Sequence, residues 1–362
     1  MPLPDARGSA RGLLVSGVLD PVSLGTLSPG QWDVLIRQAR LSRLLGRLAV
    51  GLEACGLLAS VPIGPRQHLE WAIARVNTQA EELGWELSCI EEALSGLDVP
   101  VILLKGAAYH VAGLAFAGGR LFGDIDIMVA PEALPRVEAA LMLKGWVNSH
   151  HDDYDQRYYR EWMHELPPMQ HIRRGTTLDV HHSILPPTAR LKTRPDLLMD
   201  AAMTLDGCFF RVLAPEDRVL HSATHLFFSE GEMAGGLRDL LDLDGMIRGF
   251  SGDEDWRRLL LRAAEIGLER PLFMALHYLD RLVGTPVPGD VLDLARRRYP
   301  VGFGGAVLDW GLRMSLSPSD TLDRGVPRRL SEWLLIIRGH WQKMPPHLLV
   351  MHLGRKAFVR QS

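Results

Sequence analysis

The sequence predicts an α+β protein in which a compact unit of strands and helices lies between two helical regions. Three observations predict it. Apolar residues recur at helical spacing over the first hundred positions, short β-prone runs take over between 98 and 185, and helical spacing returns after Pro186-Pro187. The chain is read accordingly as an N-terminal helical region at 1–97, an α/β core at 98–185 and a C-terminal helical region at 186–362. A length of 362 residues leaves room for two or three such units.

Taken in order, Ser28-Pro29 opens the first well-signalled helix, with the serine as cap and the proline in the first turn. Beyond it Arg37, Arg40, Arg43 and Arg47 fall on one side, while Trp32, Leu35, Ala39, Leu48 and Leu52 supply apolar positions elsewhere. Gly56 and Pro62 break that pattern. A longer helix follows, with Leu69, Ile73, Val76, Ala80, Leu83, Leu87, Ile90 and Leu94 in steps of four and three, a seam expected to pack within the chain's own fold. Residues 99–104 form a β-prone run ending at Lys105-Gly106, and 124–129 form a second. A helix is expected over 131–144, stopped by Gly145. Runs 169–173 and 176–182 read as a hairpin across Arg174-Gly175, and helices are expected at 215–228, 237–247 and 256–264. The segment 328–360 reads as a closing pair of helices, split by Pro345-Pro346, that buries Trp333, Leu335, Ile337 and Trp341.

Composition narrows the function classes. Hydrophobic residues make up 47% and charged residues 23%, an ordinary globular balance. With 40 basic against 43 acidic residues the net charge is -3, so no global field attracts a nucleic acid and such a partner is not favoured. Cys55, Cys89 and Cys208 lack the spacing of a zinc knuckle or redox pair and read as inert buried thiols in a reducing compartment. The first twenty residues lack a signal-peptide core, and no run approaches the roughly 18 apolar residues that would span a bilayer. The expectation is a cytoplasmic protein without a transmembrane segment.

The chemistry concentrates in three places. In the strand at 124–129, alternation puts Asp124 and Asp126 on one face and Ile125, Ile127 and Val129 on the other. Two adjacent carboxylates repel unless a cation compensates, and magnesium, which takes hard oxygen ligands together with substrate phosphates, is the fitting ion. In the run 177–181, Leu178 and Val180 face inward and leave Asp179 and His181 on the other side. If the two strands are neighbours, three carboxylates converge, which suits metal ions clamping a phosphoryl displacement. Upstream, Lys105 adds a positive charge and Gly106 lets a phosphate approach the backbone; Arg120 is a second candidate for phosphate contact.

The run LLKGAAYHVAGLAFAGGRLFGDIDIMV, with LDVHHSIL, PEDRVLHSATHLFF and LRDLLDLDGMI behind it, resembles the uncharacterised bacterial nucleotidyltransferase family of the DNA polymerase beta-like superfamily. The resemblance extends from the N-terminal helices to about residue 250. It implies a small mixed β-sheet flanked by helices, with Asp124 and Asp126 as the metal-binding pair, Asp179 as the third carboxylate and Gly106 as the glycine of the phosphate-binding turn. The chain departs from the superfamily at Ala107, where a small hydroxyl residue or glycine is usual, and Lys105 before the glycine looks like this family's own variant.

Other polar groups have plainer readings. His221 and His225 share a helical face but lack the glutamate of the zinc-protease pattern, so both are expected to be core or supporting histidines. Arg238, Asp239 and Asp242 are expected to form ion pairs along a helix face. The cluster His150-His151-Asp152-Asp153 reads as a solvated loop. The expected function is magnesium-dependent transfer of a nucleoside monophosphate from a nucleoside triphosphate, ATP in the first instance, to an unidentified acceptor: a small molecule, a saccharide precursor or a protein. Asp126→Asn is expected to abolish turnover while leaving the melting temperature within a few degrees. The alternatives are a catalytically silent binding or neutralising partner, and a metal-dependent phosphohydrolase. The oligomeric state is open.

Overall fold

The computed structural model describes residues 12–25, 27–148, 159, 162–228, 233, 235–298, 303–319 and 325–343. The His150–Asp153 cluster and Pro345-Pro346 lie outside these residues.

At the centre is a seven-stranded mixed sheet in the order β3-β4-β5-β2-β1-β7-β6. Its strands are β1 (Ile102–Leu104), β2 (Asp124–Met128), β3 (Trp146–Asn148), β4 (Met169–His171), β5 (Thr177–His181), β6 (Met203–Thr204) and β7 (Arg211–Val212). The 124–128 and 177–181 strands are neighbours and run parallel, and β1 lies antiparallel on the other side of β2. Three strands were not legible in the sequence. Strands β3, β6 and β7 are only two or three residues long, too short for alternation to declare itself. Because β7 pairs in parallel with β1, the sheet draws its last strands from beyond residue 185.

Before the sheet come helices α1 (Leu13–Leu19), α2 (Pro29–Leu41), α3 (Leu45–Ala54) and the 32-residue α4 (Ile63–Leu94). Helix α2 starts where the sequence signals it: the Ser28 side chain accepts from the Gln31 backbone N–H, and the Gln31 side chain accepts in return from that of Ser28. Helices α5 (Lys105–Val111) and α6 (Leu134–Leu143) belong to the sheet region, and α7 (Pro195–Asp200) leads to the C-terminal series. That series comprises α8 (Pro215–Phe228), α9 (Gly236–Arg248), α10 (Asp253–Glu265), α11 (Glu269–Tyr278), α12 (Gly289–Arg298), α13 (Phe303–Leu316) and α14 (Val326–Lys343).

Two apolar cores result, one on each face of the sheet. On one face Leu103, Ile125, Ile127, Leu178 and Val180 pack under α6 and the C-terminal half of α4. On the other, Ile102, Leu104 and Met128 join a large core built by both helical regions together. Helix α4 serves both: Leu69 and Ile73 enter the second core, and Leu83, Leu87, Ile90 and Leu94 the first. Its apolar seam therefore packs within the chain. The β4–β5 hairpin is fastened to α4 by buried Glu86, which accepts from Arg174 Nε at 2.7 Å and Thr176 Oγ1 at 2.8 Å. Gly175 takes the left-handed conformation (φ 73°) that the tight turn requires.

The C-terminal expectation needs correction. Leu335 is buried, but Trp333, Ile337 and Trp341 stay exposed. Helix α14 packs chiefly against α13, so only one narrow face of it is covered. No helix among the described residues is long and apolar enough to cross a membrane.

Candidate active site

The parallel register of β2 and β5 pairs Asp126 with Asp179 and Asp124 with Thr177. Residues in register on adjacent strands point to the same face, so Asp124, Asp126 and Asp179 all lie on one side of the sheet. That is the face whose far end, Met128 with Ile102 and Leu104, is sealed by the helical core. At the near end the helices stand back, leaving a cleft of about 480 Å³ lined by all three carboxylates. The same strand alternation that buries Ile125 and Ile127 thus exposes the acids to a cavity.

The three are not equivalent. Asp124 stands at the rim, exposed. Asp126 is buried, and its Oδ1 accepts from Lys105 Nζ at 2.8 Å and from His181 Nε2 at 3.0 Å. Burial alone would raise the Asp126 carboxyl, but the Lys105 ammonium and the His181 donor outweigh it and hold it well below the usual carboxylate range. Asp179 is pushed up to about 7, first by burial and then by the charges of Asp126 and Glu165. Its Oδ1 is buried without a hydrogen-bond partner. Asp124 is also shifted upward, by the protein crowding its inner side and then by Asp126. One carboxylate of the set is compensated by the protein, and two are pushed upward by burial and then by like charge.

Lys105 reaches Asp126 from the end of β1, where its backbone takes a left-handed conformation (φ 46°) unusual for a residue with a side chain. The next position is glycine for a reason the sequence did not disclose. A Cβ on Gly106 would lie 2.3 Å from Arg120 Nη1, so the guanidinium occupies the space a side chain would take. Arg120 is fixed there, its Nε donating to Asp242 at 2.7 Å, with Asp239 3.8 Å from Nη2 and the Tyr109 ring 5.6 Å away. Arg47 reaches the same Asp242 at 3.3 Å. Arg238 and Asp239 pair with each other at 2.8 Å. Of the ion pairs expected along α9, Arg238–Asp239 stays on the helix, while Asp239 and Asp242 also reach Arg120 and Arg47 on other elements.

Several lining residues were not assigned to the site from the sequence. Arg43, at the joint between α2 and α3, lines the cleft in a left-handed conformation (φ 57°), exposed and without an ion-pair partner among the described residues. Glu165 and His164 enter from the segment before β4, where Glu165 bridges to His181. Ser222 and His225 face the cleft from α8. Both α8 histidines are held neutral. The His221 imidazole is lowered to about 3, chiefly by burial, and His225 falls well below its ordinary value through the nearby Lys105 charge and burial. Apart from the His221–His225 spacing, nothing local marks these groups, because they converge from segments far apart in the chain.

A family model described as an uncharacterised nucleotidyltransferase matches residues 28–284. The chain belongs to that family. The matched span covers the sheet, the three carboxylates, Lys105-Gly106 and the α8–α9 wall of the cleft. Comparisons with curated proteins and with solved structures return no match. Ala107, where the sequence departs from the expected pattern, is 1% exposed and packs into the apolar core rather than lining the cleft.

Proposed function

We propose that this member of the family transfers a nucleoside monophosphate from a nucleoside triphosphate, ATP in the first instance, to an acceptor group brought to the cleft beside Asp124 and Asp179. The observation that carries this reading is the pairing of Asp126 with Asp179 on adjacent parallel strands, with Asp124 at the rim of the same face. The donor set suits a divalent cation: the Asp179 oxygen is buried without a hydrogen-bond partner, and two of the three carboxyls are driven upward by burial and then by the neighbouring negative charge, both of which a cation would offset. Asp124, Asp126 and Asp179 would hold magnesium, which supplies positive charge against the triphosphate and the developing charge on the leaving pyrophosphate.

The chain's own residues would do the rest. Lys105 keeps Asp126 ionised, and its ammonium stands where a phosphate oxygen would meet it. Arg120 is preorganised over Gly106 by Asp242, which takes only its Nε donor within hydrogen-bond distance, so further guanidinium N–H groups are left for phosphate oxygens. Asp179, with its carboxyl at about 7, is poised to accept the proton of an acceptor hydroxyl.

Asp126→Asn is a poorer test than the sequence suggests. Asp126 is buried under two donors, and an amide there leaves the Lys105 ammonium without its counter-charge, a loss of up to about 3–5 kcal/mol. Asp179→Asn is the sharper variant, because it removes repulsion rather than a bond. Incubation of the full chain with α-labelled triphosphates, magnesium and a cell extract should label an acceptor with the wild type and not with Asp179→Asn, while the variant melts no lower. Equal labelling by the two proteins would end the claim.

A second reading, a silent relative that binds without turnover, is favoured by the Lys105–Asp126 contact, in which the protein itself supplies the cation for its most central carboxylate. Calorimetry separates the readings. An enzyme binds triphosphate in a magnesium-dependent way, and a silent scaffold shows no magnesium-dependent nucleotide binding.

A further inference from the structure

The carboxylates leave a second group of donors beside them unexplained. His164, Glu165 and His181 each offer one ligand atom, and the three atoms lie within 4.8 Å of one another. His181 Nδ1 is 3.2 Å from Glu165 Oε2, yet the contact lacks hydrogen-bond alignment, and this nitrogen is buried without a partner. His164 Nδ1 is likewise buried and unpartnered. The two imidazoles face the same space, with ring centroids 5.3 Å apart at 39°. Buried polar atoms without partners are rare in folded proteins, and two on adjacent rings beside a carboxylate point to a missing ligand.

The other nitrogen of His181 identifies the ligand. Its Nε2 donates to Asp126 Oδ1 at 3.0 Å, which leaves Nδ1 as the nitrogen aimed toward Glu165. A metal ion would bind Nδ1 in place of a proton. A ligating histidine commonly gives its second N–H to a carboxylate in this way, which fixes the tautomer and strengthens the donor. One of the three spacings agrees as well: donors bound to one ion at about 2.1 Å stand roughly 3.0–3.4 Å apart, against 3.2 Å between His181 Nδ1 and Glu165 Oε2. Magnesium avoids imidazole, whereas zinc and its first-row neighbours take two imidazoles and a carboxylate readily.

We propose that His164, Glu165 and His181 form a transition-metal site, with zinc as its ion, sharing Asp126 as the carboxylate behind His181. The site is chemically distinct from the all-oxygen magnesium site and stands whether or not the chain transfers nucleotides. Three protein donors leave a coordination position open toward the cleft that all three residues line. Zinc held there would lock the His181 ring and hence the Asp126 oxygen that it meets.

The test uses the full chain stripped of metal. Titration with zinc alone by calorimetry should give one tight site per chain. Cobalt(II) in its place should give the visible d–d absorption of a four- or five-coordinate site with nitrogen donors. His164→Asn and Glu165→Gln should each weaken zinc binding beyond the roughly 10–100-fold typical of losing a supporting group, and the cobalt bands should disappear. Asp124→Asn, which removes a carboxylate outside the nitrogen cluster, should leave zinc affinity unchanged. Circular dichroism in the absence of metal verifies that each variant is folded. Zinc binding that survives both cluster variants, or that is lost in Asp124→Asn, would overturn the proposal.

Discussion

Asp126 Oδ1 receives Lys105 and His181 at once, while Asp179, its partner across the strand pair, has an oxygen that receives nothing. This asymmetry decides which substitutions are informative. Gly106→Ala places a methyl against a guanidinium that Asp242 prevents from moving aside, so it should cost about 1–3 kcal/mol. Arg120→Ala also destabilises, by leaving Asp242 with a weaker counter-charge. If the clash is the cause, adding Gly106→Ala to Arg120→Ala should cost almost nothing more. Denaturant midpoints of the two single variants and the double variant check this, and additive losses would exclude the steric account. At this scale the sequence was informative about which residues carry charge and silent about whom they meet. Arg120 was expected at a phosphate; the residue that sets its position over Gly106 is Asp242, 122 positions away in the chain.

The helices and strands differ in how far their sequences announce them. Helix α2 begins where Ser28-Pro29 says it should, and its reciprocal Ser28–Gln31 bonds satisfy end groups that would otherwise depend on water. Ser28→Ala should therefore lower stability by about 1 kcal/mol, read as a shift in the urea midpoint with an unchanged slope. An unshifted midpoint would mean that α2 is held by its buried Trp32, Leu35 and Ile36 alone. The hairpin turn at Gly175 and the helix α8 from Pro215 were equally legible, since both are encoded within a few residues. The short strands β3, β6 and β7 were not, because two or three residues in a ladder owe their conformation to the neighbouring strand. Helix α14 misled for the opposite reason: its apolar residues look like a buried face, but the fold covers only the side around Leu335.

Over the whole molecule, a single sheet separates two apolar cores, and the cleft opens where one of them stops short of the strand ends. Burying titratable groups around that opening makes stability depend on pH in two opposed ways. His221 is lowered to about 3 by burial, against about 6.5 in an unfolded chain. The unfolded state therefore binds more protons below 6.5, and this group removes stability as pH falls from there toward 3. Asp179, at about 7 when folded and about 3.9 unfolded, takes up its proton in the native state first and adds stability as pH falls from about 7 toward 3.9. In metal-free protein the melting temperature between pH 7.5 and 5 should thus fall less steeply for His221→Asn than for the wild type, and more steeply for Asp179→Asn. Parallel profiles for all three would remove burial as the cause of these shifts.

What the sequence determined by itself was local. Alternation along 124–128 and 177–181 put the acids on one face of each strand, because the period of two is a property of the extended backbone. The capping box, the helix spacing and the glycine turn belong to the same class, each written within a few neighbouring residues. Only the tertiary structure decided that Asp126 stands opposite Asp179, that Arg120 is pinned by α9, and that His164 and Glu165 join His181 beside them. Strand register and cleft walls are set by the packing of segments tens of residues apart, and no local pattern carries that distance.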